Sequence, residues 1–168
     1  GDTAATIARL EQRVAAAPED AEGLMLLGLA YQQRVRETGD PSLYPRSQEA
    51  LERSLALAPD NDLALTGLAT LAATRHRFQE ARRLAQRALR LNPYSAEAIG
   101  VLGDSLVELG RYDAAFATFD RMAATKPGLP SYARIAYARE NTWDQRVADL
   151  VAQIEAELTA APARARRM

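Results

Sequence analysis

Side chains able to carry out chemistry are few in this chain. It has one histidine, His76, and no cysteine, which removes disulfides, thiolate zinc sites, a cysteine nucleophile and any centre built from several histidines. His76 lies between Arg75 and Arg77 with no adjacent carboxylate to orient it, so it reads as a surface turn residue rather than a general base. Carboxylates gather at Glu19, Asp20 and Glu22 and again at Asp60 and Asp62. Neither group has the ligand spacing or the glycine of a calcium loop, and helix N-termini attract carboxylates through the helix dipole in any case. Glycine-rich phosphate loops, a nucleophile elbow and the His-Glu-x-x-His pattern are missing. No catalytic residue, cofactor or metal is therefore expected, and function should come from a surface.

Arg82, Arg83, Arg87 and Arg90 have the spacing that aligns several of them on one helix face. Such a run suits an acidic partner or a phosphate backbone; with Glu80 and other acids nearby it reads as a solvated face. Over 168 residues, 21 Lys plus Arg stand against 22 Asp plus Glu, a net charge of −1, whereas nucleic-acid domains carry a basic excess. Neither nucleic acid nor an anionic membrane is an expected partner. Hydrophobic residues at 48% and charged residues at 26% make a soluble globular mix. No run of about 18 apolar residues occurs, so no transmembrane helix is expected. The start at Gly1 rather than methionine marks a processed or trimmed chain and leaves the compartment, and an export signal, open.

The elements that must carry such a surface are helical. Alanine fills about a fifth of the positions and arginine outnumbers lysine by 20 to 1, with Lys126 alone; both biases favour helix. Pro18, Pro59, Pro93 and Pro127 recur at intervals of 41, 34 and 34 residues, each followed by small polar residues able to cap a new helix. Between them lie pairs of apolar stripes at helical spacing. Ala98, Ile99, Leu102, Gly103 and Leu106 form one, Gly110-Arg111 breaks it, and Tyr112, Ala115, Phe116, Phe119 and Met122 form the next. No segment alternates with period two. A fixed interval of this size means stacked units, none of which buries its apolar face alone.

Ile99, Leu102-Gly103, Gly110, Tyr112, Ala115, Phe119 and Pro127 follow the small/large pattern of the tetratricopeptide repeat, and Leu24, Leu27-Gly28 and Tyr31 match its first helix in an earlier unit. The chain resembles that family, of bacterial type, over roughly residues 3 to 141. The resemblance implies an all-α, right-handed superhelix of about nine helices: a half repeat at 3–18, repeats at 21–59, 62–93 and 96–127, and a divergent capping pair at 130–162. The first full unit carries seven extra residues, expected as a longer first helix to about Glu37, a turn at 38–41 and an irregular Ser42-Leu43-Tyr44-Pro45 segment whose Leu43 and Tyr44 either fold back on that helix or add an apolar contact at one rim of the array. After Glu140 the family's glycine turn is replaced by Asn141 to Gln145, where Thr142 and Gln145 have capping-box spacing. A last helix to about Thr159 should bury Val147, Leu150, Val151, Ile154 and Leu158; the tail from Ala163 reads as frayed.

In this family the first helix of each unit lines a concave surface that holds peptides or partner helices. That places Met25, Leu29, Gln32 and Gln33, then Thr66, Thr70 and Thr74, then Glu97, Gly100, Val101, Asp104 and Glu108, then Arg134, Tyr137 and Ala138 along a groove. Inward and outward positions differ by a single residue, so a register slip would exchange them. Some members grip the C-terminal carboxylate of heat-shock chaperones with Lys, Asn and Arg. Met25, Leu29, Gly67, Glu97 and Val101 stand at those places and supply no such donors, so that mode is not expected. Two functions remain open: a non-enzymatic scaffold holding a peptide or protein segment in the groove, or a structural module that self-associates into homo-oligomers through its terminal helices or convex face, with Trp143 and the last apolar stripe as the sticky end.

Overall fold

Proline and capping chemistry set the helix boundaries. A computed structural model describes residues 2–126 and 128–165, with side chains placed through Ala156 apart from those of 129 and 130. Among these residues there is no strand, and there are nine helices: α1 (Thr3–Ala16), α2 (Ala21–Thr38), α3 (Leu43–Leu57), α4 (Asp62–Thr74), α5 (Phe78–Leu91), α6 (Ala96–Glu108), α7 (Tyr112–Thr125), α8 (Leu129–Glu140) and α9 (Trp143–Ala165). Asp20, Asn61 and Ser95 are the N-caps of α2, α4 and α6, their side chains accepting from the N–H of Gly23, Ala64 and Ala98. Ala17, Ala58 and Asn92 each precede a proline and take φ between −136 and −132 with ψ of 81 to 88, the extended geometry a following proline ring imposes. Lys126 does the same, although Pro127 itself lies outside the described residues.

These caps also account for the acidic clusters. Asp20 holds the N–H of Gly23 and the guanidinium of Arg13, which in that order keep its carboxyl below the usual range. Asp62 accepts from Asn92 Nδ2 at 2.9 Å. Both clusters serve helix ends.

The turns α2–α3, α4–α5 and α6–α7 each use one left-handed residue: Gly39 (φ 70), His76 (φ 57) and Gly110 (φ 70). At the last two the helix closes with a Schellman pattern, Arg77 N–H donating to Ala72 O and Arg111 N–H to Leu106 O, both at 2.8 Å. The resulting hairpins α2–α3, α4–α5 and α6–α7 stack through α3 on α4, α5 on α6 and α7 on α8, while α2, α4, α6 and α8 stand side by side as the inner wall. This is the right-handed α–α superhelix. Small residues let helices within a hairpin approach. A Cβ on Gly103 would collide with the edge of the Phe119 ring, and one on Gly28 would come within 2.6 Å of Leu51 Cγ. Ser47 and Ser54, fully buried on α3, donate to Gly28 O and Ala21 O at 2.8 Å, so the polar atoms left at these contacts are paired.

At the N-terminal end α1 packs Leu10 and Val14, with Ile7, on Leu24, Leu27 and Tyr31 of α2. Tyr31 donates to Glu11 Oε1 at 2.7 Å, and Arg46 reaches the same oxygen at 2.6 Å while lying 4.6 Å over the Tyr31 ring. Burial, then the Glu11 hydrogen bond, drives the Tyr31 phenol well above its ordinary range.

Three expectations are corrected. The 42–45 segment is not irregular: α3 begins at Leu43, and Pro45 falls in its first turn, where no helical N–H is lost. Leu43 and Tyr44 do fold back, onto the α1–α2 cluster around Tyr31 and onto the cluster of Met25, Leu51, Ala64 and Leu71 respectively. Helix α9 runs past Thr159 to Ala165 through an alanine-rich stretch. Its apolar stripe is not buried: Val147, Leu150, Val151 and Ile154 are about half exposed, because α9 does not fold back on α8 to make a capping pair; the Leu158 side chain lies outside the described set.

Two glycines separate close packing from backbone geometry. Gly103→Leu should lose stability at the upper end of the roughly 1–3 kcal/mol range for overpacking. Gly39→Ala, with nothing within 4 Å of the added Cβ, should lose only the left-handed penalty of about 1–2 kcal/mol. Urea unfolding of both variants checks this, and a wild-type midpoint for Gly103→Leu would contradict the packing.

Candidate functional site

Along the inner wall, the α2 end is closed by packing. Met25 (6% exposed) sits with Leu51, Ala64 and Leu71, and Leu29 packs at the edge of that cluster against Gly67. Gln32 (5% exposed) donates from Nε2 to Gly67 O at 3.0 Å and to Ser47 Oγ at 3.2 Å, stitching α2 to α4 and α3. Thr66 (1% exposed) donates to Asp62 O at 2.8 Å. Met25, Gln32 and Thr66, expected on the groove, are therefore within the packing. The cause is close approach: Gly28 and Gly67 carry no side chain to hold α2, α3 and α4 apart, so positions next to the groove are drawn inside.

Between α4, α6 and α8 the wall opens. A cavity of about 500 Å³ is lined by Thr70, Thr74, Glu97, Val101, Asp104 and Arg134 among others. It adjoins one of about 700 Å³ that shares Thr74, Asp104 and Arg134 and adds Phe78, Val107, Glu108 and Tyr137. The fold thus brings Thr70, Asp104, Glu108, Arg134 and Tyr137 together and leaves Met25, Leu29 and Gln32 on α2. Thr66, Thr70 and Thr74 donate in series to the carbonyls of Asp62, Thr66 and Thr70, so the α4 hydroxyl protons are spent within the helix.

Arg134 crosses from α8 to α6. Its Nε donates to both Asp104 oxygens at 3.1 Å, and its guanidinium lies against Gly100, where a Cβ would stand 3.3 Å from Cζ. Gly100, expected to line the groove, instead gives the cation room. Two further groups were not foreseen there. His76, read as a turn residue, lines the second cavity beside Phe78, its ring edge-on at a centroid distance of 5.6 Å. The signal was positional: Arg-His-Arg-Phe at 75–78 stands where the next unit has Leu-Gly-Arg-Tyr, so His76 occupies a glycine's place.

Burial raises the Asp104 carboxyl above its ordinary value, Arg134 opposes the shift and Glu108 adds to it. With a pKa higher folded than unfolded, Asp104 holds its proton in the folded chain over a window where the unfolded chain has released it. Its contribution to stability therefore falls as pH rises from about 4 through the raised value. In Arg134→Met the carboxyl should titrate higher still, followed by its carboxyl-carbon NMR shift, and Asp104→Asn should remove this downward component from the stability–pH curve. A carboxyl that drops to its ordinary range in Arg134→Met would contradict the assignment.

No curated protein matches the chain. Among solved structures it is similar to MamA, at 25% identity over 96% of this chain and 92% of that one with a TM-score of 0.68. The AMB-1 form of MamA shares 30% identity over 83% of this chain and 79% of that one, TM-score 0.67. A thermophilic tetratricopeptide protein of Thermus thermophilus, 21% identical over 80% of this chain and 72% of its own with a TM-score of 0.65, shares the fold. The tetratricopeptide repeat pattern itself matches residues 42–96 and 66–130, more than half of the chain and the whole of the α4–α7 stack. Stacked hairpins, their glycine contacts and these matches together establish that the chain belongs to the tetratricopeptide repeat family.

Proposed function

We propose that the chain is a non-catalytic scaffold that takes a peptide or helical protein segment in the open part of its inner wall, between α4, α6 and α8. A general role in protein interaction follows from the family; the groove and its chemistry are the specific reading. The observation that carries it is the charge left over around an apolar floor. Arg134 neutralises Asp104, whereas Glu97 and Glu108 at the two ends of α6 make no ion pair among the described residues. Eleven residues of helix separate them, about 16 Å. Val101, Val107 and Tyr137 supply apolar contact between. A segment with apolar anchors and one or two cations about three turns apart fits this wall through the helix-in-groove mode, while an acidic C-terminal tail does not. No described helix is long and apolar enough to cross a membrane.

Selection from a displayed peptide library checks the reading. Enriched sequences should pair Leu, Met or aromatic anchors with Lys or Arg. Glu97→Lys combined with Glu108→Lys should weaken their binding at least tenfold, while thermal unfolding stays close to wild type as expected of surface positions. Enrichment of acidic peptides, or unchanged binding by the double variant, would overturn it.

A further inference from the structure

Two uncovered faces flank one short connection. On α9, Val147, Leu150, Val151 and Ile154 are 47–56% exposed, and beyond its first turn the helix lies along no other described helix. Their spacing reproduces that of Tyr112, Ala115, Phe116 and Phe119, the face with which α7 covers α6. On α8, Ser131 and Ala138 are buried as Ala98 and Ser105 are on α6, which sets the two helices in one register. In that register Tyr132, Ala136 and Arg139 replace Ile99, Gly103 and Leu106, and all three are exposed. Helix α8 thus has a receiving face without a covering helix, and α9 a covering face without a receiver.

The connection keeps them apart within one chain. Every closed hairpin reverses through a left-handed residue; Asn141 instead has φ −118 and ψ 30. The start of α9 is fastened elsewhere. Trp143 N–H donates to Tyr112 Oη at 2.6 Å, the Trp143 ring rests against Gly110, Thr142 Oγ1 accepts from Gln145 N–H at 3.3 Å, and Arg146 lies 5.6 Å over the indole. With its root held at the α6–α7 turn, α9 points away from α8.

We propose that α9 is an exchange arm: the stripe Val147–Ile154 of one copy covers the Tyr132–Ala136–Arg139 face of a second copy, and the second copy's arm returns the contact about a two-fold axis. Each copy brings both halves of the contact, as closed two-fold exchange requires. The α7 pattern sets Ile154 on Ala136, as Phe119 meets Gly103, and Val147 and Leu150 beside Arg139, which stands where α6 has Leu106. The area of the contact points to exchange. One helix on one helix face is small against the roughly 1,200–2,000 Å² of a stable interface, and reciprocal exchange counts that contact twice.

The chain has no cysteine, so introduced thiols report without background. Chains carrying only Ala136→Cys or only Ile154→Cys, distinguishably tagged and mixed under mild oxidation, should form the mixed disulfide at least tenfold faster than either forms with itself. Leu150→Glu in both chains should abolish the preference. Wild type should sediment increasingly as a dimer as concentration rises. A double-cysteine chain that closes on itself at a rate independent of concentration would show α9 folding back on its own α8 and would overturn the proposal. So would a mixed disulfide no faster than the self-pairs, or a wild type that stays monomeric at high concentration.

Discussion

A single left-handed backbone residue closes the turn inside each hairpin of this chain, whereas successive hairpins join through extended residues at the prolines. Gly39, His76 and Gly110 supply the left-handed residue three times, and three hairpins follow. Glycine meets the demand without steric penalty. His76 meets it with strain on the order of 1 kcal/mol, offset by its edge contact with Phe78. The fourth connection, Asn141–Thr142, does not meet it, and from there the stack ends in an extended helix rather than a closed pair.

The fold was legible because its determinants are local and repeat. A proline forces the residue before it into extended geometry, and a small polar residue two positions on caps the next helix, so the interval between prolines reports the interval between hairpins. Gly103 was legible for the same reason, since only a missing side chain leaves room for the Phe119 ring. What the letters did not convey was which of two adjacent positions on a first helix faces inward. Met25, Gln32 and Thr66 share the inner wall's spacing, but Gly28 and Gly67 draw that part of the wall shut. A periodic pattern gives the width of an apolar stripe, not the separation of the helices beside it. The apolar stripe of α9 was expected to be buried against its own α8, and it is about half exposed instead. Replacement of the turn glycine after Glu140 was visible, but its consequence is a direction of the chain, which hydrophobic spacing does not encode.

The inner wall therefore differs along its length for a physical reason. At the N-terminal end glycine-mediated contact and the Gln32 amide, bonded to both neighbouring helices, lock α2 to α4. At the other end, Arg134 lies between α6 and α8, its guanidinium against Gly100 and its Nε bonded to both oxygens of Asp104. An ion pair half exposed to water adds little to stability, so its place between the helices matters more than its energy. Beside it the wall stays open, with an apolar floor between Glu97 and Glu108.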